Sequence, residues 1–180
     1  VPQVLMPPQN LPREHASTGS AAAPVASSSA PDSEGANDAR LRGISLPALL
    51  KIEKRVKTLV AQGQFPDVSD YQSLTTGTLV HGWVSHSSTT GTARLADCPE
   101  LVDPSQVGTP QYFVSHAWSG RFCKLVEAVR AHLANAGDDT RVWIDVFAVN
   151  QHGDTCPEMN RADVQSFEAT VQLSTMGMLV

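Results

Sequence analysis

The sequence predicts an α/β fold with a parallel sheet over residues 111–180, in the order strand, helix, strand, helix, strand. Seven of the ten aromatic residues lie in this stretch. A β-prone run at 111–115 and an apolar run at 141–146 flank an amphipathic helix. The second run is apolar at almost every position, which is typical of a strand covered on both faces. A strand, a crossover helix and a second strand form a βαβ unit.

Two other regions precede this α/β part. Residues 1–40 are predicted to be a disordered tail, because Pro, Ala, Ser and Gly fill 22 of the 40 positions and none is aromatic. Such a composition buries too little apolar surface to offset its ordering entropy. Residues 41–110 are predicted to be a helical and irregular lead-in. Because the chain starts at Val1 and stops in an apolar run, we expect it to be a fragment.

The lead-in contains one clear amphipathic helix. Apolar residues recur at spacings of three and four from Leu49 to Val60, and Ser45 suits the N-cap of a helix over 46–62 that Gly63 ends.

A shorter helix is predicted to start near Thr75 and Thr76. Residues 85–110 follow it and are rich in Ser, Thr, Gly and Pro, which indicates irregular surface chain. The apolar face of the short helix is expected to hold Leu79, Val80, Trp83 and Val84.

In the α/β part, Ser119 suits the N-cap of a helix over 120–136, and Gly137 suits its end. A last helix over 162–173 leads into the apolar run 176–180, which predicts a buried strand. The residues expected to face the core are Phe122, Leu125, Val126, Val129 and Leu133 in the first helix and Val164, Phe167 and Val171 in the last.

Charge and cysteine usage exclude several classes of protein. The net charge of −5 is mild and the charges are mixed, which gives no support to nucleic-acid binding. No run of 18 apolar residues exists, so no membrane span is predicted. Three widely spaced cysteines without a CxxC pair favour reduced thiols and a cytoplasmic location. Four basic residues on the first helix fit a solvated face better than an anionic-membrane contact: Lys51, Lys54, Arg55 and Lys57.

Polar side chains follow both strands of the predicted βαβ unit. Because ligands bind beyond the carboxyl ends of parallel strands, these side chains are expected to line one crevice. The candidate binding residues are Ser115, His116, Trp118 and Ser119 after the first strand, and Asp145, Asn150, Gln151 and His152 after the second.

Each candidate also has a structural alternative. Ser115 begins a turn and Ser119 caps a helix, whereas His116 bonds a backbone carbonyl and Trp118 packs in the core. Asn150 and Gln151 suit a loop that hydrogen-bonds its own backbone. The carboxylate of an aspartate in an apolar strand is harder to explain by packing, because it needs a partner.

Three of the candidates, His116, Asp145 and His152, have the chemistry of metal ligands. They lack a tight ligand spacing, so a metal site is not favoured. No GxSxG, Walker or GxGxxG motif is present.

Two motifs together resemble a known family. The first is FVSHAW at Phe113–Trp118, and the second is WxDxFxxNQH at Trp143–His152. They are similar to a divergent branch of the TIR-like (Toll/interleukin receptor-like) domains. The resemblance implies a flavodoxin-like sheet with the first strand central and ligand contacts at the strand ends. It also implies self-association or contact with other TIR-like domains in signalling, and NAD as a possible ligand.

Some TIR-like domains cleave nicotinamide from NAD with a glutamate on a helix beyond the third strand. Glu127, Glu158 and Glu168 do not match that position, so no catalytic residue is assigned. Three hypotheses stay open: a signalling or self-association module with a nucleotide-binding crevice, the N-terminal part of an NAD-cleaving hydrolase, and a structural α/β fragment without activity.

Overall fold

A computed structural model describes residues 38–86 and 93–180 of the chain. Of the predicted tail at 1–40, only the last three residues fall within the described part. Of the predicted irregular segment at 85–110, residues 87–92 lie outside it.

The described residues form a mixed α/β fold around a five-stranded sheet in the order β2-β1-β4-β3-β5. β3 pairs in parallel with β4 on one side and β5 on the other, while β1 is antiparallel to β2 and β4. The α/β prediction is confirmed, and the flavodoxin-like arrangement stays a prediction. The strands are β1 Gly43–Ser45, β2 Val107–Gly108, β3 Tyr112–Ser115, β4 Arg141–Ile144 and β5 Met176–Leu179.

Three of these strands, β3, β4 and β5, were predicted from the sequence. The lead-in adds β1 and β2, so the sheet has five strands where about three were expected. Gly43 permits the close approach of β1 to β2, since a Cβ there would lie 2.9 Å from the Gly108 carbonyl oxygen.

Six α-helices surround the sheet in the described part of the chain, and a π-helical turn at Val80–Val84 continues the second. The first begins at its predicted cap and the second at the predicted start, where the hydroxyls of Ser45 and Thr75 accept backbone N–H groups. The helices are α1 Leu46–Ala61, α2 Thr76–Leu79, α3 Phe122–His132, α4 Asp145–Ala148, α5 Pro157–Gln165 and α6 Phe167–Leu173.

The amphipathic helix α1 docks onto the α/β part. Leu49, Ile52 and Val56 are fully buried in the core that also contains the apolar face of α3. Glu53, which is 8% exposed, accepts hydrogen bonds from the Tyr71 hydroxyl and the Arg130 guanidinium, both at 2.9 Å. Its carboxylate therefore joins α1 to α3.

The continuous apolarity of β4 reflects its central place in the sheet. Val142 and Ile144 belong to the larger core cluster, whereas Trp143 belongs to a second cluster. The ring of Trp143 stacks on Phe113 and meets Phe167 edge to face. Both faces of this strand are covered, as predicted.

The strand predicted over 141–146 is shorter than expected. β4 ends at Ile144, because the Asp145 carboxylate accepts the N–H of Val146 and the backbone turns into α4. The apolar run continues through this turn because Val146 and Phe147 are themselves buried.

The prediction that Ser119 caps the next helix is wrong. α3 begins at Phe122 after Arg121, without a side-chain cap. The N–H of Phe122 donates instead to the Leu74 carbonyl at 2.9 Å. A neighbouring backbone segment thus satisfies the amide that a capping serine would otherwise engage.

The last predicted helix is two helices with partly exposed apolar residues. α5 ends at Gln165, and α6 starts at Phe167. The hydroxyl of Ser166 between them donates to the Asp163 carbonyl at 2.6 Å. Val164 and Val171 were expected to be in the core but are 49% and 50% exposed. The buried side of α5 carries Asp163 instead, because that carboxylate has a buried cationic partner.

The predicted strand at 176–180 exists as β5, but its expected burial is wrong. Met176 is 52% exposed and Leu179 is 87% exposed. In the described part of the chain β5 pairs only with β3, so it is an edge strand.

Candidate functional site

Asp145 is the centre of a polar cluster at the carboxyl ends of β3 and β4. Its Oδ1 accepts the N–H of Val146 and its Oδ2 accepts the indole N–H of Trp118, both at 2.8 Å. The Gln151 side-chain amide donates to the Asp145 carbonyl oxygen at 3.1 Å. The structure therefore brings together side chains from both strand ends, although 27 positions separate Trp118 from Asp145.

His116 lies beside this carboxylate with no hydrogen bond. Its side chain is 3% exposed, and its Nδ1 is 3.6 Å from the Asp145 Oδ1, which is too far for a hydrogen bond. Neither ring nitrogen has a partner within the described residues. Burial lowers the pKa of His116 below its ordinary value, while the negative charge of Asp145 acts in the opposite direction. The imidazole is therefore neutral at pH 7.

The two serines predicted for this site are exposed. Ser115 ends β3, and its carbonyl oxygen accepts the N–H of Val180 at 2.9 Å, which aligns the ends of β3 and β5. Ser119 lies in the turn that precedes α3, where the N–H of Gly120 donates to the Ala117 carbonyl. Ligand contact through either hydroxyl stays a prediction.

Asn150 and His152 belong to a second cluster. The N–H of Asn150 donates to the Asp163 Oδ2 at 2.8 Å, and its side-chain oxygen accepts the N–H of His152 at 2.9 Å. The Asn150 carbonyl oxygen accepts a hydrogen bond from the Asn160 side chain. These contacts hold the loop after α4 against α5, and ligand contact through these two residues stays a prediction.

A buried ion pair supports this second cluster, and the sequence did not indicate it. The Arg94 guanidinium binds both carboxylate oxygens of Asp163, at 2.8 and 2.7 Å. Its third nitrogen donates to the Asp97 Oδ2 at 3.1 Å, and Asp97 also pairs with Arg42. Arg94 follows a Ser/Thr/Gly-rich stretch and Asp163 lies on a polar helix, so neither residue signalled burial by itself.

A small cavity adjoins His116 between α3 and the ends of β3 and β5. Its volume is about 70 Å³. The hydroxyl of Thr76 is buried and, like the imidazole of His116, has no hydrogen-bond partner among the described residues. The sequence singled out His116 but missed Thr76, which reaches the cavity from α2. The lining consists of Thr76, His116, Ala117, Gly120, Arg121, Lys124, Leu125 and Val180.

A wider cavity of about 390 Å³ lies beside β2. Its walls are mostly apolar, and its two charged residues, Arg42 and Asp97, are paired with each other. Satisfied charges of this kind do not by themselves point to a ligand.

Other chemistries have little support in the described ranges. No group of three His, Cys, Asp or Glu side chains is placed to hold a metal ion in residues 38–86 and 93–180. Burial raises the pKa of the Cys98 thiol to about 11, which removes its nucleophilic form at pH 7. Across the same residues, no helix has both the length and the apolar character needed to cross a membrane.

No protein-family model matches the sequence, and no match was found among curated proteins or solved structures.

Proposed function

We propose that the chain is a TIR-like signalling module that binds a nucleotide in the crevice at the carboxyl ends of β3 and β4. The observation that carries this proposal is His116, a buried imidazole without a hydrogen bond beside the Asp145 carboxylate. An unsatisfied buried polar group costs stability, and a ligand that hydrogen-bonds to the group would offset this cost. The position at two parallel strand ends is the usual place for a ligand in α/β proteins.

The chemistry of the crevice suits a nucleotide. Trp118 is partly exposed, and its hydrogen bond to Asp145 fixes the orientation of its ring. An indole face can stack on a base or a nicotinamide ring. A carboxylate at a strand end can accept hydrogen bonds from ribose hydroxyls. NAD has both kinds of group and is also the ligand that the resemblance to TIR-like domains implies.

We propose nucleotide binding rather than catalysis because the carboxylate of the crevice is already hydrogen-bonded. Asp145, the carboxylate of this crevice, already accepts hydrogen bonds from Trp118 and from the N–H of Val146. These bonds hold the carboxylate in one orientation. A carboxylate held in this way suits positioning of a ligand, and the NAD-cleaving hydrolase is kept as an alternative for the experiment below.

Self-association is supported by a separate surface. Several apolar side chains of α6, of edge strand β5 and of the residue after it are half-exposed or exposed, and this set is called the α6–β5 surface. Edge strands with exposed apolar residues are ready sites for pairing with another chain. The members of this surface are Val171, Leu173, Met176, Leu179 and Val180.

Titration of the full chain with NAD by isothermal calorimetry tests the binding proposal. We expect saturable binding that Trp118→Ala and Asp145→Asn weaken about tenfold, the loss expected for one good polar or stacking contact. Lys54→Ala, on the exposed side of α1, should bind NAD like the unaltered chain.

Chromatography of the same mixtures separates binding from turnover. Intact NAD after prolonged incubation supports the module, whereas released nicotinamide supports the hydrolase. Absence of saturable binding, or equal affinities in all three variants, would contradict the crevice assignment.

A further inference from the structure

We propose that the 70 Å³ cavity between α3 and the ends of β3 and β5 is an anion subsite that takes one phosphate group. The inference rests on the proposed nucleotide binding, since it names the part of the ligand that this end of the crevice holds. A free phosphate ion and the phosphate of a nucleotide share the same chemistry, and the experiment below separates them.

The volume decides which part of a ligand fits. One water molecule needs about 10–15 Å³ of cavity volume, so a cavity of 70 Å³ accommodates roughly five heavy atoms. A phosphate group has that number of heavy atoms. Pockets for whole drug-sized ligands occupy about 300–1,000 Å³, so a nucleoside would have to lie outside this cavity.

Two buried polar side chains in the cavity lining have no partner. The Oγ1 of Thr76 and both ring nitrogens of His116 are buried without a hydrogen bond among the described residues. Thr76 is 0% exposed and the His116 side chain 3% exposed. A hydroxyl and an imidazole N–H both donate hydrogen bonds, and phosphate oxygens accept them. One anion would therefore satisfy donors from α2 and from the end of β3.

The electrostatic surroundings also favour an anion. Arg121 and Lys124 line the cavity at the start of α3, a helix of eleven residues. Lys124 shares an exposed ion pair with Glu127, while the Arg121 side chain has no ion pair within the described residues. The positive end of the helix dipole adds to these charges. The charge that opposes anion binding is the carboxylate of Asp145, whose Oδ1 lies 3.6 Å from the Nδ1 of His116.

The cavity lies at a topological switch point of the sheet. The chain leaves β3 for β4 through α3 on one side, and returns to β5 on the other side of β3. Crossovers that run in opposite directions from one strand leave a gap beyond its carboxyl end, where ligands of open α/β sheets bind. His116 follows β3 at this gap and also lies next to Asp145, so the cavity and the crevice share one wall.

Nuclear magnetic resonance of the ¹⁵N-labelled full chain tests the subsite, with inorganic phosphate, adenosine and ADP as separate probes at constant ionic strength. We expect phosphate to shift the amide signals of Gly120, Arg121 and Lys124 in a saturable manner and to raise the pKa of the His116 ring. Thr76→Val and Lys124→Ala should each weaken phosphate binding about tenfold, the loss expected for a hydrogen bond to a charged group. Lys54→Ala is the charge-matched control and should bind phosphate normally.

The outcomes separate the subsite from the nucleotide-binding function. If phosphate binds in this way and ADP binds no more tightly, the subsite stands and nucleotide binding fails. If ADP and adenosine bind equally well while phosphate does not bind, nucleotide binding stands and the subsite is overturned. Phosphate shifts that Thr76→Val and Lys124→Ala leave unchanged would also overturn it, whatever ADP does.

Discussion

Arg94 and Asp163 form a buried, two-pronged ion pair between residues that are 69 positions apart in the sequence. Their side chains are 2% and 4% exposed. Asp163 also accepts the N–H of Asn150, so a single carboxylate connects the segment after residue 92, α5 and the loop that carries Asn150. This pair therefore holds the second motif of the chain in place.

Asp163→Asn should destabilise the fold strongly. The substitution leaves the Arg94 guanidinium buried without its full counter-charge, and breaking a buried ion pair costs about 3–5 kcal/mol. Urea unfolding should show a lower midpoint with little change in slope. Asp154→Asn makes the same chemical change at an exposed position and should alter the free energy of unfolding by less than about 0.5 kcal/mol. Equal effects of the two variants would contradict the structural role of the pair.

His116→Phe should stabilise the fold while it abolishes binding at the crevice. The phenyl ring removes two buried polar atoms that have no partner. Removal of such an unsatisfied group should raise the free energy of unfolding by about 1 kcal/mol. The Tm should rise by about 2–4 °C for a chain of this size. His86→Phe, at an exposed position, is the matched control. A lower Tm in His116→Phe would show that the imidazole has a stabilising partner.

The same histidine should make stability fall in mild acid. Its pKa in the folded chain lies below the ordinary value of 6.5, because burial outweighs the charge of Asp145. The unfolded chain then binds more protons below about pH 6.5, so the contribution of neutral His116 is complete above that pH and is lost as pH falls toward the folded-state pKa.

Thermal melts of the unaltered chain and His116→Phe between pH 5 and 8 measure this effect. The difference in Tm between the two should widen as the pH falls. Asp145 favours protonation of His116, and Asp145 and the cavity-lining Arg121 and Lys124 are all retained in the variant. A difference that stays constant across the range would contradict the lowered pKa.

Gly43→Ala should weaken the pairing of β1. The added Cβ would lie 2.9 Å from the Gly108 carbonyl oxygen and 2.9 Å from the Pro110 Cβ. Overpacking of this kind costs about 1–3 kcal/mol, which chemical denaturation measures directly. Gly137→Ala is the control, because no atom lies within 4 Å of a Cβ placed there. If both variants unfold alike, β1 is not packed as closely as the structure indicates.

A lysine on the α6–β5 surface should reduce self-association. Leu179 is 87% exposed on the edge strand, and a charged residue there opposes pairing with a second chain. Sedimentation velocity at rising concentration should show less oligomer for Leu179→Lys than for the unaltered chain. Ala61→Lys adds the same charge at the exposed end of α1 and should leave association unchanged. A monomer at all concentrations in the unaltered chain would contradict self-association through this surface.

The elements predicted well from the sequence are those with a local cause. α1 and α3 each have apolar residues at helical spacing, and β3 and β4 have compact β-prone runs. The position of Asp145 at the end of β4 followed from the same pattern, and its contact with Trp118 joins the ends of two strands. The cap of α1 was predicted because the capping hydroxyl of Ser45 lies within three residues of the amide it accepts.

What only the tertiary structure decided depends on groups that are distant in the sequence. β1 and β2 are three and two residues long, too short to show a period, and they exist because β1 pairs with β4. Ser119 lost its expected capping role because the Leu74 carbonyl accepts the N–H of Phe122.

The sequence by itself therefore determined the α/β class and the strand ends at which polar residues lie, because periodicity and strand ends are local properties. Tertiary structure decided which buried side chains lie next to one another. Thr76 meets His116 at one cavity, and Asp163 is buried because Arg94 reaches it. A buried charge or hydroxyl has no local signature, since the free energy of its burial depends on a partner that the fold alone brings within reach.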